Sequence, residues 1–325
     1  MKRRNSMKVI EVQKFGAPEV MDLVEKPIPA PGPGEVLVRV KAVGVNPVET
    51  YIRAGIYPRL PALPYTPGGN VAGIVHECGP GVEDWSTGDR VYSSATISGA
   101  YGEYSLCTSD QIFYLSEKLS FSQGAAIGVP AATAWRALFL RGGAKRGESL
   151  LIHGASGVVG QAAVQLAKKA GMTVTGTAGS KKGCDLVSDI GADAVFNHND
   201  KGYVQKIAES SGVGFDLILE MLADVNLEND LELLAPRGRV VIIGSRGRIE
   251  IDPRATMGKE TDIRGFSLFS ATGDDNKQIH AGLREAVESG ALVPKISCEK
   301  ALQEAPAAHL LVMKDGNCGK IVLLP

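Results

Sequence analysis

The run His153-Gly154-Ala155-Ser156-Gly157-Val158-Val159-Gly160 constrains this chain more than any other. It follows Ser149-Leu150-Leu151-Ile152-His153, an apolar stretch that reads as a buried strand. It precedes Gln161 to Lys169, where Ala162, Ala163, Leu166 and Ala167 recur at helical spacing. A strand feeding a helix through glycines at 154, 157 and 160 must turn sharply. It also carries backbone N–H groups to the helix start, where a pyrophosphate can approach them. Read from Ala155, the pattern is AxGxxG, a variant of the dinucleotide fingerprint, with Gly160 letting the helix lie close to the sheet. Such glycines can also form a turn with no ligand. What favours a nucleotide is the alternation behind them. Strand candidates follow at Thr173–Thr177, Ala194–Phe196, Asp216–Leu219, Arg239–Ile243 and Ile263–Leu268, with helical stretches between the earlier ones. Strand and helix in alternation imply βαβ units and a parallel sheet.

The end of the second of these strands discriminates between nicotinamide cofactors. An NAD site normally places Asp or Glu there, ~20 residues past the glycines, to hold the ribose hydroxyls. Here the run is Thr175-Gly176-Thr177-Ala178-Gly179-Ser180-Lys181-Lys182, and no acid comes before Asp185. A hydroxyl and two ammonium groups suit the extra phosphate of NADPH. The bland reading is that the lysines only solvate a helix start.

The first ~125 residues have a different texture, with short strands between frequent Gly and Pro, as in a barrel or sandwich. Val36–Val43 is a strand pattern with Arg39 and Lys41 on one face, Val71–Glu77 is another, and Gly88–Tyr92 is a turn feeding a third. Pro27, Pro29, Pro31 and Pro33 read as an extended link before them, and Ala131–Leu140 opens the helical part. After Asp274 one more helix is expected, then a final strand over Gly319–Leu324.

Glycine supplies 39 of 325 residues, without the period or tract that would explain them as a repeat. Charge is balanced, 35 Lys+Arg against 36 Asp+Glu, which argues against a broad nucleic-acid footprint. Five cysteines are scattered with no CxxC pair, as in a reducing compartment. Each reads as a small buried hydrophobe, since no basic partner stands near any of them. No run approaches the ~18 apolar residues of a membrane span. The basic head is not followed by the apolar core of a signal peptide. A soluble cytoplasmic protein is the expectation.

The whole layout resembles the medium-chain dehydrogenase/reductase superfamily. That resemblance implies an α/β fold, a GroES-like β-rich catalytic domain over residues 1–125 and 270–325 plus a Rossmann doubly wound parallel sheet over 126–269. Zinc-dependent members carry a Cys ligand after a Gly-Val pair and a Gly-His-Glu motif further on. Here Asn46 follows Gly44-Val45, Gly69 stands where His would, and the cluster of four closely spaced cysteines is absent. Zinc needs three protein ligands for catalysis or four for structure, and these positions supply neither set, so no metal is expected. Gly44-Val45-Asn46-Pro47-Val48-Glu49-Thr50-Tyr51-Ile52-Arg53 is similar to the zinc-free quinone oxidoreductases of the ζ-crystallin type. So are His153–Gly160, Phe196-Asn197-His198, Glu220-Met221-Leu222-Ala223 and Ile243-Gly244-Ser245-Arg246-Gly247. Two positions depart from the pattern. Val158 stands where glycine is usual, and Gly69-Asn70 replaces Ser-Asp.

The resemblance implies roles residue by residue. Tyr51 and Asn46 lie beside the nicotinamide, and Thr133 approaches the same ring from the other domain. Ser156, Gly157, Val158 and Val159 hold the pyrophosphate. Gly179 and Lys181 border the 2′-phosphate, with His198 on the adenosine side. Asn226, Ile243, Gly244, Ser245, Arg246, Phe266, Ser267 and Leu268 line the rest of the cleft, and Lys320 could meet a phosphate. Each has a bland alternative: Asn46 before Pro47 as a turn residue, Tyr51 in the barrel core, His198 on a surface loop, Arg246 in an exposed turn. His153 at its strand end reads as structural. The activity implied is NADPH-dependent reduction of quinones, with one-electron delivery to ortho-quinones giving semiquinones, in a homodimer or homotetramer. The rivals are an enal/enone double-bond reductase with the same cofactor, and a structural or AU-rich RNA-binding role to which Lys2-Arg3-Arg4 could contribute a small patch.

Overall fold

The computed structural model describes residues 5–325, so Lys2, Arg3 and Arg4 lie outside the described residues. The chain opens with β1 (Ser6–Val12) antiparallel to β2 (Met21–Pro27), Val9 opposite Val24. Then come β3 (Glu35–Gly44), α1 (Pro47–Ala54), β4 (Val71–Cys78), β5 (Arg90–Ser93), β6 (Tyr104–Thr108), β7 (Ile112–Tyr114) and the single turn α2 (Phe121–Gly124). A helical run follows in which π-turns, Ile127–Ala131 and Arg136–Arg141, flank α3 (Ala132–Trp135). Pro130 sits in the first of them, and a proline has no N–H to continue an ordinary ladder.

The alternation comes next: β8 (Ser149–Ile152), α4 (Val158–Lys169), β9 (Thr173–Ala178), α5 (Lys181–Asp189), β10 (Ala194–Asn197), α6 (Tyr203–Ser210), β11 (Phe215–Glu220), α7 (Ala223–Leu233), β12 (Leu234–Ile242), α8 (Arg254–Met257), β13 (Asp262–Gly265) and α9 (Gly273–Glu288). The chain ends with β14 (Ile296–Ala301), α10 (Ala305–Val312) and β15 (Lys320–Leu324).

The chain divides into two compact units. One holds the residues up to Val129 together with Pro294–Pro325, and the other holds Pro130–Val293. In the first, the sheet runs β14-β15-β3-β4-β5-β7, with β6 also paired to β3. β3 is its hub, which is why it is nearly all buried: only Arg39 is exposed, and Lys41 on the same face is half-buried. Val36, Val38, Val75, Val91, Cys107 and Ile112 form one core. Val40, Val43, Tyr101, Ile321 and Leu323 belong to another, beside Ile10 and Val12 of β1. Fully burying one such aliphatic side chain contributes roughly 1.5–3 kcal/mol.

In the second unit the order is β10-β9-β8-β11-β12-β13, with every pairing parallel. Leu150, Leu151 and Ile152 of β8 and Leu217, Ile218 and Leu219 of β11 are fully buried, because helices cover both faces. That is the reason these strands read as unbroken apolar runs. The order reverses at β8. Ligands of such sheets sit outside the carboxyl ends of the strands at that switch, here the ends of β8 and β11.

Several expectations need correction. β1, β2, β6, β7 and β14 have no counterpart in the sequence reading, and Pro27 closes β2 instead of starting a link. β2 pairs only with β1, and such an edge strand tolerates a proline. β13 stops at Gly265, which leaves Phe266, Ser267 and Leu268 beyond the sheet. Where one helix is expected after Asp274 there are two, α9, whose first turn contains Asp274, and α10. α9 packs in the nucleotide-type unit, with Ile279, Leu283 and Ala286 buried and Asp275 paired to Arg136 at 3.0 Å. The return to the first unit therefore begins at Pro294, not near 270. Among the described residues no helix is long and apolar enough to cross a membrane.

Candidate active site

The loop between β8 and α4 folds as the glycines require. Gly154 has φ +62°, a left-handed conformation that glycine adopts without strain. Gly157 caps α4, and its N–H donates to the Gly154 carbonyl at 3.0 Å. A Cβ on Gly160 would lie 2.5 Å from the Gly154 oxygen and 2.6 Å from the Ala155 Cα. Gly160 thus serves contact between the helix and its own entry loop. A Cβ on Gly157 would have only the Gly154 oxygen nearby, at 3.3 Å. The second glycine is not needed for packing and leaves the helix start open. Gln161 fastens the loop by donating to the Ser156 carbonyl at 2.6 Å. The first turn of α4 has N–H groups without intrahelical acceptors, so Val158 and Val159 offer donors that fit a pyrophosphate beside Ser156 and the open face of Gly157, whose own N–H is taken by Gly154. Val158 offers its N–H as a glycine would.

The residues expected at the adenosine end meet beyond β9 and β10. Ser180 caps α5, accepting the Gly183 N–H at 3.1 Å. Lys181 begins that helix with its side chain 87% exposed, paired with Asp185 at 2.7 Å. That hydrogen bond, with the Asp185 charge, raises the Lys181 pKa. Asp185, the first acid after β9, therefore faces a lysine. A Cβ on Gly179 would touch the His198 ring, 2.7 Å from Nε2. Gly179 is small because His198 lies over it, and Asn199 donates to the Gly179 carbonyl at 2.8 Å.

Beyond β11 and β12 the chain brings Asn226, Ile243, Gly244, Ser245 and Arg246 together. Glu220, at the end of β11, organises them. Its carboxylate accepts the Leu222 N–H and the Asn226 amide, the latter at 3.3 Å, and its carbonyl accepts Ile243 N–H at 2.8 Å. Asp224 accepts the Arg246 N–H at 2.8 Å and the Ser245 hydroxyl at 3.3 Å. A Cβ on Gly244 would lie 2.4 Å from the Met221 carbonyl, so the two strand ends touch backbone to backbone. Past β13, Arg136 donates to the Ser267 carbonyl and lies over the Phe266 ring at 5.5 Å. This ties the Phe266, Ser267 and Leu268 stretch to the helical run that carries Thr133, itself buried.

His153 is buried and bonded through Nε2 to Asp230 at 2.8 Å, with Glu220 at 3.6 Å. Burial disfavours the imidazolium, but the hydrogen bond and charge of Asp230, with Glu220 behind, prevail and raise its pKa. Burial also lifts Glu220 to about 7. The trio could hold a metal ion by the closeness of its donors. Within it, Glu220 Oε2 and Asp230 Oδ2 are buried without a hydrogen-bond partner.

In the other unit, Asn46 precedes α1 and is buried. Both amide hydrogens are engaged, one on the Gly44 carbonyl at 3.3 Å and one on Glu49 Oε1 at 2.9 Å, and its oxygen accepts from Lys320 Nζ. Glu49 Oε2 accepts the Asn46 N–H at 3.0 Å and the Tyr101 hydroxyl at 2.6 Å. Tyr101 then accepts from His309 Nε2 at 3.0 Å, because its one proton goes to Glu49. That fixes the neutral Nε2–H tautomer. Burial, with the charge of Arg53, depresses the His309 pKa to about 3. Burial raises Glu49 against the opposing hydrogen bonds, and lowers Lys320 to about 8 against the pull of Glu49. Lys320 is 2% exposed, so its ammonium faces Asn46, where a phosphate contact had been expected. Tyr51, on α1, is half-buried. Gly69 lies against the Ser94 carbonyl, and Asn70 is fully buried, donating to the Ala125 carbonyl and accepting the Val129 N–H.

Sequence reasoning missed Glu49, Tyr101, His309, Glu220 and Asp230 as organisers of these sites. The Asn46-x-x-Glu49 spacing before a helix is a readable capping signal. Tyr101 and His309 have no local signature, since Tyr101 reaches Glu49 from 52 residues away and His309 reaches Tyr101 from 208.

Two family models match: the alcohol dehydrogenase GroES-like domain over residues 32–136 and the zinc-binding dehydrogenase over residues 158–285. The quinone oxidoreductase of Rattus norvegicus is 50% identical over 98% of both chains, and that of Homo sapiens is 48% identical with the same coverage. Among solved structures, the Escherichia coli quinone oxidoreductase complexed with NADPH superposes with a TM-score of 0.89 at 29% identity, covering 98% of this chain and 100% of that one. The glycine cradle, the ordered strand switch and these full-length likenesses agree, and the chain belongs to the quinone oxidoreductases of the medium-chain dehydrogenase/reductase superfamily.

Proposed function

We propose that this quinone oxidoreductase uses NADPH, works without zinc and delivers single electrons to ortho-quinones. The observation that carries the cofactor choice is the stretch after β9, where Ser180, Lys181 and Lys182 stand in place of a ribose-binding acid. The NADPH complex of the Escherichia coli relative supports the same reading. NADPH supplies the reducing equivalents. The protein's share is binding and orientation. Ser156, Gly157, Val158 and Val159 hold the pyrophosphate, Val158 and Val159 through the free N–H groups of the helix start and Gly157 by letting it approach the backbone. Gly179 borders the 2′-phosphate, Lys181 gives it charge and His198 borders the adenosine. Asn226, Ile243–Arg246 and Phe266–Leu268 wall the remaining length, and Tyr51 and Thr133 belong to the nicotinamide end. Asn46 contributes as a fixed cap, its amide hydrogens being engaged. We place the enzyme in the cytoplasm as a homodimer or homotetramer.

The test is a turnover screen of quinones and conjugated enones with NADPH, in the presence of a strong chelator. Full activity with ortho-quinones, coupled to cytochrome c reduction by the released radical, is expected. Tyr51→Phe should keep that coupled signal within about tenfold, whereas a true general acid would lose ~10²–10⁴ in kcat. Loss of activity on chelation, restored by zinc, would refute the metal-free reading. A saturated ketone as the sole product would move the protein to the enone reductases.

A further inference from the structure

We propose that Glu49 and Lys320 are positioning residues for the reaction: a buried charge pair, bridged by the Asn46 amide, that holds the first turn of α1 and through it Tyr51. The inference rests on the reading above, in which Tyr51 serves the nicotinamide end.

An ordinary helix start needs one side-chain oxygen to accept an N–H from its first turn, at the surface and for about 1 kcal/mol. α1 starts differently. The Asn46 oxygen, which would normally accept that helix N–H, accepts from Lys320. The carboxylate three residues on takes the backbone N–H and one amide hydrogen of Asn46, the other going to the Gly44 carbonyl. Pro47 at the first helical position and Gly55 in the left-handed conformation at the end, φ +78°, bound the helix to eight residues. Every polar atom of Asn46 is thus committed, and its position is determined from two directions. Lys320 comes from β15, whose neighbour Ile321 accepts the Val45 N–H at 3.0 Å, so backbone and side chain pin the same turn.

An independent observation shows that the fold is shaped around the lysine. A Cβ on Gly44 would lie 2.7 Å from Lys320 Cε and 2.1 Å from the Ala125 carbonyl. The lysine stem crosses the strand where no side chain can stand. On the far side, Tyr101 adds a second hydrogen bond to Glu49 Oε2, and His309 in turn holds the Tyr101 hydroxyl. A buried ion pair is a poor means to stability, because apolar replacements of the same shape are often as stable. Removing one partner leaves an uncompensated charge and is strongly destabilising. What the arrangement does supply is a single geometry for the first turn of the helix that carries Tyr51. As a positioning pair, Lys320 acts on Glu49 and Asn46 and not on a cofactor phosphate.

The experiment is a charge-pair cycle on the full-length protein, comparing wild type, Lys320→Met, Glu49→Gln and the double variant. Readouts are melting temperature, NADPH Kd by fluorescence in the absence of quinone, and kcat at saturating NADPH and quinone. Each single variant should lose about tenfold or more in kcat and melt lower, with NADPH Kd within about threefold. The double variant should recover most of both losses, since no lone charge remains buried. If the single variants do not fold, a folded double variant with wild-type NADPH affinity and most of the kcat supports the pair. A Lys320→Met protein whose NADPH Kd rises tenfold, with no recovery on adding Glu49→Gln, would overturn it and make the lysine a phosphate ligand. Single variants that melt lower but keep full kcat would also overturn it, leaving the pair purely architectural. A wild-type protein that binds NADPH yet reduces no quinone would instead fault the functional reading.

Discussion

At the residue scale, the discriminating group is Lys181. Its ammonium is exposed and its partner Asp185 lies one helical turn on, an arrangement that holds it loosely. A phosphate arriving at the start of α5 would compete with Asp185 for it and offer a charge-assisted hydrogen bond. Lys181→Ala should therefore raise the NADPH KM by about tenfold, at the modest end for such bonds because the site is wet, and leave the NADH KM nearly unchanged. Steady-state kinetics with both cofactors checks it, and equal losses would make the lysine structural. The sequence made this residue visible because cofactor choice is written locally, in the few positions after one strand. It did not make Glu49 or Asp230 visible as organisers. Spacing marks Glu49 as a capping residue, but burial and the distant partners Tyr101 and His153, which make Glu49 and Asp230 organisers, are reported by no spacing rule.

At the element scale, the glycine loop separates two jobs that the motif merges. Gly160→Ala would drive a Cβ into backbone atoms of Gly154 and Ala155, which cannot swing aside. It should destabilise the protein by about 1–3 kcal/mol, as overpacking does, and weaken NADPH binding through loop distortion. Gly157→Ala meets only one oxygen at 3.3 Å, and φ is −72°, so the fold should accept it. If the backbone at 157 approaches a pyrophosphate, NADPH Kd should still rise about tenfold or more while the melting temperature holds. Thermal melts and NADPH titrations of both variants test the division. A Gly157→Ala protein with unchanged affinity would remove the pyrophosphate from that position. The motif was legible because strand, turn and helix adjoin in sequence. The β1–β2 pair was not, since an edge strand ending in Pro27 imitates a linker. Nor was the first π-turn, which accommodates Pro130 inside a helical run.

At the scale of the whole molecule, the parallel sheet could be read from alternation, while the point where the chain leaves it could not. α9 looks like any amphipathic helix, and only its buried face and the Arg136–Asp275 pair assign it to the second unit. Global stability carries a further signature that composition hides. His309 has its pKa depressed to about 3 by burial and by Arg53, against an ordinary 6.5. Between those values the unfolded chain takes up a proton that the folded chain refuses, so stability falls as pH drops through that window. At pH 4 the gap of about 2.5 units corresponds to roughly 3 kcal/mol. His280, buried and also lowered to about 3, acts in the same sense. Glu49 and Glu220 act in the opposite sense, since a raised carboxyl binds its proton first in the folded state. The acid profile of the wild type is thus a partial cancellation, and only a difference can be read. Glutamine at 309 keeps an N–H for the Tyr101 oxygen and does not titrate. His309→Gln should cost little at pH 7 and lose less stability than wild type between pH 6.5 and 4. Chemical denaturation of both proteins across that range measures the two slopes, and parallel slopes would mean that His309 is protonated in the folded state.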